Sequence, residues 1–314
     1  MGLFGKKVKG AGWLAIGFDA DGVHAASLRH ADAKAPQVTV AKFYPSAAGK
    51  SVDALEKLAR EVQAARFRCS TFLSVAEYQM LAVEAPNVQP EELKVAVRWR
   101  LKDMLDFHVD DATIDVLDIP PDASVAGRTH SMFAVAARNS VIEARQALFV
   151  GAGVELDAID IPDTAQRNIS ALLAPEGRGV AMLAFTDEGG LLTVTYNGEL
   201  YLSRRIDVTL EQVHEVDLER RERAFERIML ELQRSLDHFD RQFHFITVAK
   251  LVLGPMPPCG LHAHLATNLY MQVEELDLAK VFDLSLVPEL NEVAHQQRFF
   301  RSLGAALRIE ERVL

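Results

Sequence analysis

A strand–turn–strand pattern occurs twice in this chain, and the repeat constrains the fold more than any other feature. The first copy is Trp13 to Leu28, WLAIGFDADGVHAASL. Leu14, Ile16 and Phe18 alternate as in a β-strand, and Val23 to Leu28 resumes an apolar run. Between them, Asp19-Ala20-Asp21-Gly22 supplies turn chemistry, because Asp tolerates left-handed backbone and Gly takes positive φ without a steric penalty. The second copy is Val180 to Phe185, the turn Thr186-Asp187-Glu188-Gly189-Gly190, and Leu191 to Tyr196. Asn197-Gly198, a strong hairpin signal, leads into a third strand, Glu199 to Ile206. Two such hairpins half a chain apart predict a duplicated α/β architecture, in which facing turns can clasp a phosphate chain through backbone N–H groups. Two ordinary hairpins would give the same pattern, since a lone D-x-D-G is a weak signal.

The other elements follow in order. Pro36 to Tyr44 reads as a third strand, 46–50 as a small-residue loop, and Ser51 opens a helix with Leu55, Leu58 and Val62 on its apolar side. Strands are expected over Thr71 to Val75 and Tyr78 to Glu84. Pro90-Glu91-Glu92 opens a helix running to about Asp106, with Leu93, Ala96, Val97, Leu101, Met104 and Leu105 in one stripe. Trp99 falls off that stripe; it either anchors a partner or is packed by a neighbouring element. Ala112 to Ile119 and His130 to Ala137 read as strands around an exposed loop, 120–129, followed by a helix from Ser140 to Gly151. Val154 to Ile161 is expected to close a compact β-α-β-β-α-β insert. A helix from Thr164 to Leu173 and a glycine-rich link lead to the second hairpin. Glu222 to Phe239 carries the clearest helical stripe: Phe225, Ile228, Met229, Leu232, Leu236 and Phe239. A strand from Phe245 to Leu253, a rigid turn from Gly254 to Pro258, a helix from Leu261 to Leu269 and a strand from Val273 to Leu276 follow. Glu289 to Arg308 is helical and returns to the first half.

Composition narrows the function. The chain has 314 residues, enough for about two domains. A net charge of −10 argues against general nucleic-acid binding, which needs a basic face. Cys69 and Cys259 form no C-x-x-C and fit a reducing compartment. No apolar run approaches the ~18 residues of a membrane span, and MGLFGKKVKG lacks the apolar core of a signal peptide. Lys6, Lys7 and Lys9 either touch an anionic bilayer or belong to a solvated terminus. Catalytic patterns are thin. Ser70, Thr71 and Ser203 have no base at readable spacing. His262 and His264 lack Cys or acidic companions and read as solvent-facing rather than metal-binding. His24, in an apolar strand, reads as a core or edge histidine.

The order of these elements resembles the actin-like ATPase (ribonuclease H-like) superfold, in the PilM/FtsA type where a small β-α-β insert replaces the usual second subdomain. The marks are LFGKK ahead of the first strand, IGFD opening the hairpin, and VAVRWRLKDMLDFHVDDATIDVLDI as insert helix and strand. NGELYLSRRI, ELQRSLDHFDRQF and FFRSLGAALR continue the likeness. The sequence is most similar to the MshI branch, of mannose-sensitive haemagglutinin (MSHA) type IV pilus biogenesis. The resemblance implies a first subdomain of 1–76 with 162–178 and 290–314, an insert of 77–161 and a second actin-like domain of 179–289.

PilM-type proteins hold ATP and Mg²⁺ between two phosphate loops and an adenosine loop. If nucleotide binding is retained, the resemblance assigns it to Asp19, Asp21 and Gly22, to Thr186, Gly189 and Gly190, and to Gly254. The usual D-I-G-S-S-S is here Asp19-Ala20-Asp21-Gly22, shorter and without serines. Thr186 stands where the second loop has Asp, and Pro255 follows Gly254 where a second glycine would donate an N–H. ATP and Mg²⁺ binding is therefore expected to be weak or absent, with no catalytic residue, no metal site and no turnover. Asp19 is the carboxylate that would face a metal. The family also implies a cytoplasmic scaffold, recruited to the cytoplasmic face of the inner membrane by gripping the N-terminal cytoplasmic tail of a PilN-like partner. The Trp99 helix would line the groove, and membrane contact would come only through the partner; self-association stays open. The alternatives are a working Mg-ATPase of the pilus machine and a filament-forming cell-division-type actin homologue. The latter needs a C-terminal amphipathic anchor, for which 309–314 is short.

Overall fold

The structure, a computed structural model, describes residues 12–30, 35–46, 51–122 and 130–309. The basic stretch at Lys6–Lys9, residues 47–50 and 123–129 of the two expected loops, and the tail beyond Ile309 lie outside the described residues.

The first half opens with β1 (Trp13–Asp19), β2 (Gly22–Arg29), β3 (Gln37–Pro45), α1 (Ser51–Glu61) and β4 (Arg68–Phe72). β1 and β2 pair antiparallel around a two-residue turn, with Asp19 opposite Gly22. Neither Asp21 nor Gly22 takes a positive φ. Gly22 is required for a different reason: a Cβ there would stand 2.3 Å from the Tyr44 carbonyl oxygen. β4 lies three residues ahead of the expected 71–75, because Ser74–Glu77 is a turn: the Glu77 carboxylate accepts the Ser74 N–H at 2.7 Å.

The insert consists of β5 (Tyr78–Glu84), α2 (Leu93–Leu101), β6 (Ala112–Ile119) and β7 (Ser131–Arg138), with strand order β5-β7-β6. α2 ends five residues before the expected Asp106. Arg98 ties the following turn back to the helix, donating to the carbonyls of Val109 (2.6 Å) and Ala112 (2.9 Å). α3 (Asn139–Gly151) and β8 (Leu156–Asp160) come next. The strand at 154–161 does not close the insert. β8 pairs parallel with β4 in the first sheet, and Phe149 of α3 packs beside Leu55 and Leu58 of α1.

α4 (Pro162–Leu173) crosses to the second half: β9 (Gly179–Thr186), β10 (Gly189–Tyr196), β11 (Glu199–Ile206), α5 (Leu210–Val213), α6 (Leu218–Gln242), β12 (Val248–Leu253), α7 (Leu261–Asn268) and β13 (Gln272–Glu275). The turn between β9 and β10 is only Asp187-Glu188, and Gly189 has φ +123°. Asn197 (φ 49°) and Gly198 (φ 82°) form the primed turn that the sequence signals. α8 (Val293–Ala306) returns to the first half.

The two sheets have matching plans, β3-β2-β1-β4-β8 and β11-β10-β9-β12-β13, each with two antiparallel and two parallel pairings. α4 and α8 lie between them. Ala15 and Ala26 of the first sheet, Val180 and Met182 of the second, and Ile169 and Leu303 of the helices share one buried cluster. α1 and α3 cover the outer face of the first sheet; α6 and α7 cover that of the second. β1 is therefore buried on both faces, with large Leu14 and Ile16 outward and small Ala15 toward the helices. The helices approach closely: a Cβ on Gly304 would lie 2.2 Å from the Ala165 carbonyl oxygen. At one edge, residues from the second half strap β3. Val38 N–H donates to the Asp283 carbonyl at 2.9 Å, and Asp283 N–H to that of Pro36 at 3.0 Å. Among the described residues no helix is long and apolar enough to cross a membrane.

Candidate functional site: the cleft between the two turns

The duplicated sheets point their first hairpin turns at each other across a cleft of about 780 Å³. Asp19, Asp21 and His24 line one wall, Thr186 and Glu188 the other, and α8 the floor. Two arginines on α8, three residues apart and so on one helical face, reach the two turns. Arg298 donates to both carboxylate oxygens of Asp21, at 2.8 and 2.9 Å, and to Asp19 at 3.2 Å. Its guanidinium also lies 3.9 Å from the centre of the Phe43 ring. Arg301 donates to Thr186 Oγ1 at 3.2 Å and pairs with Glu188 at 3.6 Å. Glu188 also accepts the Ser74 hydroxyl. The bidentate hydrogen bonds from Arg298 hold the Asp21 carboxyl below the usual carboxylate range, and the same bonds raise the Arg298 guanidinium further.

His24 is 2% exposed, wedged between Phe72 and Phe299. Gly17 opens the space: a Cβ there would lie 2.3 Å from His24 Nε2. His24 Nδ1 stands 3.2 Å from the Asp19 carboxylate, though neither ring nitrogen makes a well-directed hydrogen bond. Asp19, the carboxylate singled out to face a metal, therefore faces an imidazole and a guanidinium.

The other residues assigned by sequence divide. Asp19, Asp21 and Thr186 meet at the cleft. Gly22, Gly189, Gly190 and Gly254 do not line it. Gly190 packs on the Phe185 ring, and Gly254 gives its N–H to the Leu183 carbonyl at 2.8 Å and packs on Ala184. Trp99 lies away from the cleft on the insert and is 70% exposed, so among the described residues no neighbouring element covers it. His262 and His264 are half-buried rather than solvent-facing. His262 Nε2 stands 3.1 Å from the Val273 carbonyl, and His264 faces Glu222 at 3.9 Å. Among the described residues no cluster of three His, Cys, Asp or Glu side chains is placed to hold a metal. Sequence reasoning missed Arg298, Arg301, Ser74 and Glu188; the spacing of the two arginines on one helix was the available signal.

No protein-family model matches the sequence, and no curated protein sequence matches it either. Solved structures do match. A chain of the PilM–PilN type IV pilus biogenesis complex superposes with a TM-score of 0.70 over 94% of this chain and 97% of that one, at 20% identity. The fold is actin-like. Two further matches extend over nearly the whole chain. The cytoplasmic domain of EpsL, an inner-membrane component of the type II secretion system of Vibrio cholerae, gives a TM-score of 0.51 at 13% identity, covering 92% of this chain and 93% of that one. A Bacteroides thetaiotaomicron protein with an actin-like ATPase fold and unknown function gives 0.50 at 10% identity, covering 93% and 100%. The cleft between the turns thus lies between the two duplicated sheets of an actin-like fold.

Proposed function

We propose that this protein is a PilM-type scaffold of a type IV pilus assembly platform, of the MshI kind that serves MSHA-like pili. In this reading it sits at the cytoplasmic face of the inner membrane, binds the N-terminal cytoplasmic tail of a PilN-like partner, and does not turn over nucleotide. The observation that carries the non-enzymatic part is the double clasp of α8: Arg298 on Asp19 and Asp21, Arg301 on Thr186 and Glu188. A Mg²⁺-nucleotide needs free carboxylate oxygens and convergent N–H donors at those turns. Here guanidinium groups take both Asp21 oxygens and one oxygen each of Asp19 and Glu188, and Gly190 and Gly254 are engaged in packing. The partner and the membrane platform rest on likeness. The match with the PilM–PilN complex extends through the insert, and a second match is itself an inner-membrane component's cytoplasmic domain. Trp99 on α2, with Val95 59% exposed beside it, offers the insert's apolar contact.

Thermal unfolding with and without millimolar Mg-ATP tests the first claim. A ligand at about 100 times its Kd would add roughly 2.7 kcal/mol; no shift is expected, and a clear upward shift would establish a nucleotide-binding, ATPase-type protein instead. Calorimetric titration with a synthetic tail of the PilN-like partner tests the second. Saturable binding is expected, and its absence would remove the scaffold assignment.

A further inference from the structure

The insert is fastened to both halves at one buried carboxylate. Asp163, 2% exposed, sits in the first turn of α4. One of its oxygens accepts the hydroxyl of Tyr78, the first residue of β5; the other accepts the hydroxyl of Ser203 on β11. Arg205, two residues along β11, donates to the Tyr78 carbonyl at 3.2 Å and lies 4.8 Å from the Tyr78 ring centre. Burial first, and then the Asp163 charge, push the Tyr78 phenol well above its ordinary range, so it stays a donor. First half, insert and second half thus share one set of hydrogen bonds around a buried carboxylate.

The connector 73–78 ties this hub to the cleft. Its Ser74 hydroxyl bonds Glu188 at the second turn, and its Glu77 carboxylate holds both Ser74 N–H and Arg145 of α3, each within 2.8 Å. On the far side of the insert, Ile119 and Phe133 belong to the same apolar cluster as Leu200 and Leu202 of β11. Ser74, bonded at the cleft, and Tyr78, bonded at the insert, thus lie at the two ends of one short segment with a single anchor.

We propose that the connector 73–78, anchored at Asp163, couples the orientation of the insert to closure of the cleft. A load on the insert then shifts the cleft between discrete arrangements, as packed interfaces do. That the load is a docked partner rests on the function proposed above; the coupling itself needs no partner.

Hydrogen exchange on the full chain tests it. Tyr78→Phe removes one hydroxyl and keeps the ring; Ser203→Ala removes the other donor. Each is expected to raise exchange by about tenfold or more in β5 and, at a distance, in the 186–190 turn and the 19–22 turn. Exchange in the centres of α6 and β10 should stay unchanged. A rise confined to β5 and β11, or an equal rise everywhere, would overturn the coupling. Tail-peptide titration of the same variants separates the two ideas: coupled exchange in a protein that binds no tail leaves the coupling intact and removes the scaffold.

Discussion

Arg298 and Asp21, 277 residues apart, meet in a bidentate pair at 2.8 and 2.9 Å across the floor of the cleft. The pair fixes the first hairpin turn to the last helix, and Arg301 does the same for the second turn. Asp21 is 57% exposed, so the contact fixes position more than it stabilises the fold.

Arg298→Ala is expected to cost about 0.5–1 kcal/mol at pH 7, an exposed-pair value. The Asp21 pKa is lowered in the folded state. Its stabilisation is therefore present above the unfolded pKa of about 3.9 and is lost as pH falls through the lower folded value. Urea titrations of both proteins from pH 7 to pH 3 should show the difference shrinking at the acid end. A difference that stays constant to pH 3 would mean that the pair carries no charge-dependent stability.

Gly304→Ala should destabilise by about 1–3 kcal/mol, in spite of the better helix propensity of Ala. The new methyl would lie 2.2 Å from the Ala165 carbonyl oxygen, at the crossing of α4 and α8. The urea midpoint reads this directly; an unchanged or raised midpoint contradicts the close approach.

Gln166 is 2% exposed, and its two amide hydrogens are shared among the Met182 carbonyl (2.8 Å), the Leu191 carbonyl (3.0 Å) and Thr193 Oγ1 (3.0 Å). Gln166→Leu keeps much of the volume and leaves these acceptors without their donor. A loss of about 2 kcal/mol or more is expected, and a loss below 0.5 kcal/mol would show that the acceptors find other partners.

Trp99→Ala should leave stability within about 0.5 kcal/mol, because the side chain is exposed. If the insert face binds the partner tail, the same change should weaken binding by about 2 kcal/mol, roughly thirtyfold. Equal affinities for the two proteins would move the docking site off this face.

Local periodicity carried most of the fold. β5, β6 and β11 match their expected bounds, since alternation and turn residues are written in a few neighbouring positions. What escaped depends on distant residues. The strand at 154–161 was recognisable, but its neighbour was not: its partner in the sheet is β4, more than eighty positions earlier. The apolar stripe continues past Leu101, yet α2 stops there because Arg98 binds the returning chain, and Met104 is left 48% exposed. The cleft was half legible. Its acidic turns show in the sequence; the arginines that meet them come from the last helix, and only its packing aims them.

The strap on β3 has a kinetic consequence. Gln37 and Asp283, whose side chains also bond at 2.8 Å, are 246 positions apart. On a ribosome adding about 5–20 residues per second, Asp283 appears roughly 10–50 s after β3. Through that interval β3 has a bare edge, the kind of surface that recruits stray strands. α8, which roofs the same sheet, arrives later still. The first sheet therefore completes its native contacts only after both Asp283 and α8 have been synthesised.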